Sequence, residues 1–223
     1  MTTALEVMER ASRQLQDAEF VRWTKEEMLD WLSEAQIAIA RTPGAYPITR
    51  VVQLQHGTRQ FLPSDGWHLI TITRNFDGNK PREPVRLVTR HLLDACVPNW
   101  HMLPEFPLVE NYTYDDRTPK EFYVFPPNDG YGSVEIVYSG IPNEITSEDD
   151  ELVLDDTYIP AIVSYVIYRA NCKESDYSAG IQSAVAYFQS YNAELAGSVQ
   201  ARGVLTPNSA LQGGVVNPNG GTE

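Results

Sequence analysis

Apolar residues recur every three or four positions near both ends of the chain, a spacing that predicts two amphipathic helices at each end. The first helix is expected over about residues 3–18, where Thr3 and Glu6 can form a capping box. The residues predicted to share one face of this helix are Leu5, Met8, Ser12 and Leu15.

The second helix has the clearest start signal in the sequence. Thr24 is expected to cap it, and Glu27 can return the hydrogen bond. Trp23 and Met28 stand at the two positions of a hydrophobic staple, and Thr42-Pro43-Gly44 ends the helix. Its buried stripe is predicted to be Met28, Leu32, Ala35 and Ile39.

The third and fourth helices differ in how much of their surface is apolar. Pro160 is tolerated only in the first turn of a helix, so the third helix is predicted to begin near Asp156. Residues 159–170 are apolar nearly all round, which indicates a central helix packed on more than one side. The fourth helix is expected over residues 176–195, ending at Gly197, with one face formed by Ile181, Val185, Phe188 and Leu195.

Between the helix pairs the hydrophobic period falls to two, which predicts β-strands. One hairpin is expected over residues 50–62, with its turn at His56-Gly57. A second hairpin is expected over residues 110–125. The remaining predicted elements are strands at residues 67–74 and 134–138 and a short helical segment at residues 91–96.

These elements predict an α+β fold, a bundle of about four helices interrupted by a central antiparallel β insertion. The expected parts are N-terminal helices (1–46), the β insertion (47–142), C-terminal helices (143–200) and an extended C-terminal tail (201–223). Residues 203–223 contain five Gly, two Pro and no aromatic residue. Such a composition predicts a tail that is disordered when alone in water.

The charge balance narrows the range of partners. Thirty acidic against seventeen basic side chains give a net charge of -13. Seven of the acids fall between Glu144 and Asp156, with no basic residue among them. A surface of this kind repels phosphate, which argues against a dedicated nucleic-acid binder.

Neither a membrane span nor a disulfide framework is predicted. The N-terminus is amphipathic rather than a charged and then apolar signal peptide. No apolar run approaches the roughly 20 residues that a membrane helix needs. The two cysteines, Cys96 and Cys172, lie far apart, so we expect synthesis and assembly in a reducing cytoplasm.

No motif for a catalytic, metal or cofactor site was found, and the chain is predicted not to be an enzyme. His91, Cys96 and His101 come nearest to a metal cluster, but their spacing suits no common zinc site. Asp115-Asp116 resemble paired carboxylates, yet the Arg117-Thr118-Pro119 that follows predicts a hairpin turn. A hydrolase built on these two acids and a histidine is one alternative.

The aromatic residues on the strands offer another alternative, a carbohydrate-binding or tail-fibre module. Their alternation along the strands favours core and interface positions over an exposed platform. The residues concerned are Trp67, Tyr112, Tyr114, Phe122, Tyr123, Phe125 and Tyr138.

Three stretches of the chain carry a family resemblance. The first is RWTKEEMLDWLSEAQIAIARTPGAYP, Arg22–Pro47. The second is YDDRTPKEFYVFPP, Tyr114–Pro127, leading to VEIVYSGIP, Val134–Pro142. The third is DDTYIPAIVSYVIYRANCKESDYSAGIQSAVAYFQSYNAEL, Asp155–Leu195. In this order they resemble the head-to-tail connector, or adaptor, proteins of tailed phages, including the tail tubular A-type proteins of short-tailed phages.

The resemblance implies a structural protein of the virion neck. Copies would assemble into a ring, dodecameric in such adaptors, with one rim on the portal protein and the other receiving tail or nozzle proteins. DNA would pass through the lumen during ejection without specific binding. In related connectors a C-terminal extension can grip the portal, and the expected partner-binding residues of that tail here are Val204, Leu205, Leu211, Val215 and Val216.

Overall fold

The structure, a computed structural model, describes residues 2–78, 80–173 and 178–205. The chain divides into two compact units. One is Gln36–Asn143, and the other combines the described residues on either side of it. The first of these units carries the β-strands, and the second carries most of the helical residues.

Five α-helices are present in the described part of the chain, and they mix with strands in an α+β fold. Four of them lie wholly or partly in the helical unit, and α3 lies in the β unit. Their bounds are α1 Ala4–Leu15, α2 Lys25–Ala40, α3 Arg90–Cys96, α4 Ile159–Lys173 and α5 Ser178–Leu205.

The predicted capping of the first two helices is confirmed. The Thr3 side chain accepts a hydrogen bond from the Glu6 amide at the start of α1. At the start of α2, Thr24 and Glu27 exchange reciprocal side-chain-to-backbone hydrogen bonds of 3.3 Å each. The stripe predicted for α2 is buried throughout, whereas α1 buries a neighbouring set of residues, Ala4, Val7, Met8, Ala11 and Ser12.

Helix α4 is the central helix, as predicted from its apolar character. It buries residues around most of its circumference and packs against both α1 and α5. It is also tied to α2 by ion pairs, Arg169 with Glu34 and Lys173 with Glu27. A regular bundle of four helices is not confirmed, because close helix packing is found for α1 with α4 and for α4 with α5.

Helix α5 departs from the prediction in both its length and its buried face. It continues through Gly197 to Leu205, so the predicted end at Gly197 is wrong. Within the helix, the residues buried against α4 are Ala184 and Tyr191. Of the predicted face, Ile181, Val185 and Phe188 are about half exposed and Leu195 is partly buried, since α4 covers only one side of α5.

In the described part of the unit Gln36–Asn143, eight strands form two four-stranded sheets. The strand order is β1-β8-β3-β4 in one sheet and β2-β7-β6-β5 in the other. The bounds are β1 Pro47–Gln53, β2 Gly57–Phe61, β3 Gly66–Asp77, β4 Lys80–Pro84, β5 Arg86–Leu87, β6 Asn111–Tyr114, β7 Glu121–Asn128 and β8 Ser133–Gly140.

The pairing of these strands corrects one of the two predicted hairpins. Strands β6 and β7 form the antiparallel hairpin expected over residues 110–125. The hairpin expected over residues 50–62 is wrong, because β1 pairs with β8 and β2 pairs with β7 in the other sheet. The turn at His56-Gly57, with Gly57 at a φ of 90°, leads the chain from one sheet into the other. One short pair, β5 with β6, is parallel.

The two sheets share one hydrophobic core. Leu69, Ile136 and Tyr138 come from the first sheet, and Phe122 and Val124 come from the second. All of these side chains are almost completely buried. The β insertion is therefore a two-sheet sandwich with its own core rather than a single sheet laid on the helices.

Two glycines are expected to respond in opposite ways to alanine. No atom lies within 4 Å of a Cβ built at Gly197, so Gly197→Ala should stabilise α5 by about 0.5–1 kcal/mol through helix propensity. That gain corresponds to a rise in Tm of about 1–4 °C for a chain of this size. A Cβ at Gly132 would overlap the Pro107 carbonyl and the Asn128 side chain, so Gly132→Ala should lower Tm. Thermal unfolding followed by circular dichroism measures both, and an unchanged or lower Tm for Gly197→Ala would contradict the first expectation.

Candidate functional site

The residues nearest to a metal motif in the sequence do not form a cluster. His91 and Cys96 are exposed on α3. His101 hydrogen-bonds to Thr58 Oγ1 at 2.7 Å and stacks on Trp100, and partial burial of its ring lowers the pKa of His101. Among the residues that the structure describes, no three His, Cys, Asp or Glu side chains are placed to hold a metal ion.

The acidic pair on the β6–β7 turn is held by ionic contacts. Arg117 binds Asp115, and the hydrogen bond from its guanidinium lowers the pKa of Asp115 to about 2. Asp116, which is 82 % exposed, contacts His68 Nε2 at 3.2 Å. A groove of about 360 Å³ beside the turn includes Asp115 and Glu121, but Arg59 holds Glu121 at 2.6 Å. These carboxylates are therefore ion-pair partners, and the hydrolase alternative gains no support from them.

The aromatic residues of the strands do not form an exposed row. Tyr112, Phe122 and Tyr138 lie in the core of the sandwich. The other four aromatic residues named for the carbohydrate-binding alternative are only partly exposed. A sugar-binding platform made of these side chains is not present.

The residues expected to bind a partner through the C-terminal tail fall at the limit of the described chain. Val204 and Leu205 are the last two residues of α5, so the tail predicted to be extended from residue 201 is helical as far as Leu205. Leu211, Val215 and Val216 lie outside the described residues.

The acidic segment Glu144–Asp156 is fastened to the N-terminal helices of its own unit. The amide of Ala4 donates to Asp150 O at 2.9 Å, and the amide of Leu5 donates to Glu148 O at 3.0 Å. Ser33 on α2 exchanges hydrogen bonds with the backbone of Ile145. The segment is therefore a fixed part of the helical unit.

Most of the carboxylates of this segment face solvent. Glu144, Asp149, Glu151, Asp155 and Asp156 are all exposed. Because the backbone beneath them is held in place, they present a negative surface of defined shape. Such a surface favours basic partners and repels other acidic surfaces.

Helix α5 presents a surface of the opposite kind. Ile181, Val185 and Phe188 are 51 %, 53 % and 43 % exposed. They flank a groove of about 430 Å³ that is also lined by Tyr168 and Cys172. We call Ile181, Val185 and Phe188 the outer face of α5; Tyr168 and Cys172 are the α4 side of the groove.

Sequence reasoning placed Ile181, Val185 and Phe188 on one face of the helix and did not predict that this face is exposed. A signal for the correct reading was available in the charge pattern. Between Ser178 and Ala201 only Glu194 is charged, although 21 % of the chain consists of charged residues. A helix with one buried face normally carries charged residues on the opposite face, which is exposed to solvent. Helix α5 has almost no charged residue on any face, so it is expected to contact a second partner as well.

A second apolar groove lies in the β unit. It has a volume of about 960 Å³, and its lining includes Leu103, Phe106 and Leu108. Asn75, which is buried, fixes one wall by exchanging hydrogen bonds of 2.7 and 2.9 Å with the backbone of Val109. Each unit therefore has an exposed apolar surface of its own.

Exposed apolar surfaces and a fixed acidic surface are features of a structural protein that binds other proteins. The chain belongs to the SU10 adaptor protein family, whose model matches residues 2–211. It is thus a phage adaptor and a component of the virion that interacts with other head or tail proteins, in a family of structural proteins rather than enzymes. A comparison with curated proteins gives no significant match. Among the described helices, none combines the length and the apolar character needed to cross a membrane.

The contribution of Asp150 to stability should depend on pH. Its carboxylate accepts hydrogen bonds of 2.9 Å from the amides of Thr146 and Ser147, and these bonds lower the pKa of Asp150. A lowered folded-state pKa stabilises the fold above the unfolded pKa, and this contribution is lost as the pH falls through the folded pKa. Asp150→Ala should therefore lower Tm at pH 7, and the difference from the unaltered chain should shrink below about pH 4. A difference that stays constant from pH 7 to pH 3 would contradict this assignment.

Proposed function

We propose that the chain is the head-to-tail adaptor of a phage neck, forming a closed ring, of about twelve copies, between the portal and the tail. The observation that carries the proposal is the match to the adaptor family over residues 2–211. The exposed outer face of α5 and the apolar groove of the β unit support it, because a ring subunit must meet neighbours on more than one side.

The charge of the chain suits a protein through which DNA passes. A wall that presents basic side chains would gain counterion release from each phosphate and would hold the DNA. With a net charge of -13, this chain gains little from phosphates. We propose that the ring lumen lets DNA pass during ejection without binding it specifically.

Electron microscopy of the purified chain, alone and mixed with portal rings, tests the ring proposal. We expect closed rings in the mixture, seated on one end of the portal, because a contact between unlike faces that closes generates a ring. A reconstruction of the virion should place the chain in the neck. A position in the capsid shell or at a fibre tip would refute the proposed function.

The C-terminal residues are proposed to strengthen attachment to the portal. Val204, Leu205, Leu211, Val215 and Val216 are the apolar residues available for this contact. A segment rich in Gly and Asn needs backbone hydrogen bonds to a partner as well as apolar contacts, for example by adding a strand to a sheet. Repetition around a ring would make many weak attachments strong together.

Truncation after Leu205 tests this role while leaving α5 intact. We expect the Tm of the folded units to change little. The affinity for portal rings should fall at least tenfold, because the truncation removes one attachment from every copy in a multivalent contact. As a matched variant of full length, Leu211, Val215 and Val216 can be replaced together by Ser. Equal binding of the truncated and full-length chains to portal rings, measured by co-sedimentation, would contradict the proposed role of the C-terminal residues.

A further inference from the structure

We propose that the outer face of α5 is the surface through which one copy of this chain binds the next copy. The proposal rests on the proposed function only in expecting copies of the chain to meet. It assigns that contact to one helix and to named side chains.

The outer face of α5 is poorly suited to water. Val185, Phe188 and Ile181 are each about half exposed, and Val199 extends the apolar positions two turns beyond Tyr191. The other exposed positions, such as Gln182 and Ala186, are uncharged. In monomeric proteins an exposed helix side is normally charged, so this one is expected to be covered.

The groove beside this face is built on a firm base. Four aromatic rings connect α4 to α5, Tyr168 with Phe188 at 5.1 Å and Tyr165 with Tyr191 at 5.3 Å between centroids. The rings stack in tilted or edge-on arrangements that stabilise their positions. Aromatic side chains fixed in this way are the usual centres of protein interfaces.

Charge identifies the occupant. A second copy brings the same net charge of -13, so two copies gain nothing by bringing their acidic surfaces together. The other elements of the helical unit are charged, with four charged residues on α1 and an acidic segment at Glu144–Asp156. Helix α5, with Glu194 alone between Ser178 and Ala201, is a surface of this unit on which like copies can meet without repulsion and without separating charged side chains from their partners.

The size of α5 fits a contact of this kind. Its 28 residues correspond to a length of about 42 Å, and a helix is about 10 Å wide. The strip is therefore roughly 400 Å², about half of the ~800 Å² that each partner contributes to a stable interface. The rest of the contact must come from surface next to the helix, as in a ring where unlike faces meet.

Sedimentation velocity over a wide concentration range measures the contact directly. We expect the unaltered chain to associate as concentration rises and Val185→Glu to raise the dissociation constant at least tenfold, because each contact would bury an unpaired carboxylate. Val21→Glu is the matched control, since Val21 is 80 % exposed in the same unit and lies in the connection between α1 and α2. If Val185→Glu reduces helical content by circular dichroism, Gln189→Glu takes its place, because this change adds charge to the groove without altering shape.

The two cysteines provide a second readout in the same samples. Cys172 lines the groove and Cys96 is exposed in the β unit. Association should slow the alkylation of Cys172 but not that of Cys96. In the Val185→Glu variant, raising the concentration should no longer slow the alkylation of Cys172. The chain truncated after Leu205 should associate as the full chain does. This result would show that a second copy, rather than residues 206–223 of the same chain, covers the outer face of α5.

Three results would overturn the inference. They are an unaltered chain that stays monomeric at every concentration, equal association of Val185→Glu and Val21→Glu, and loss of association on truncation after Leu205. In each case rings seated on the portal in electron micrographs would still support the proposed function. The two proposals can therefore fail separately.

Discussion

The burial of α4 is the constraint on which the helical unit depends. Its side chains are apolar around most of the helix, so it must be covered from several directions before the unit is stable. Helix α1 covers one side and α5 another, and ion pairs from Arg169 and Lys173 attach α2. Because α4 is a single helix, it can cover only one narrow side of α5. The exposed outer face of α5 follows directly from this arrangement.

The sandwich depends on a different constraint, the central position of β8 in its sheet. This strand pairs with β1 on one side and with β3 on the other, so residues 57 to 92 positions apart are paired neighbours. Its inward side chains, Val134, Ile136 and Tyr138, are completely buried. The β unit therefore has a hydrophobic core of its own.

Charge is distributed unevenly over the described part of the helical unit. Carboxylates are concentrated on a segment that is hydrogen-bonded to α1 and α2, while α5 is almost free of charge. The proposed ring subunit would use both kinds of surface. Neutral apolar contacts permit association of like chains, and acidic surfaces discourage contacts in the wrong register and weaken attraction to DNA.

The sequence by itself determined the features that depend on neighbours within a few residues. The caps at Thr3 and Thr24, the central character of α4 and the β6–β7 hairpin could all be predicted, because each rests on local hydrogen bonds or local periodicity. The tertiary structure alone decided the partners of β1 and β2 and the buried side of α5. These features depend on contacts between residues far apart in the chain. Ala184 and Tyr191 are buried on α5 while Val185 is half exposed, and the spacing of apolar residues alone does not encode that choice.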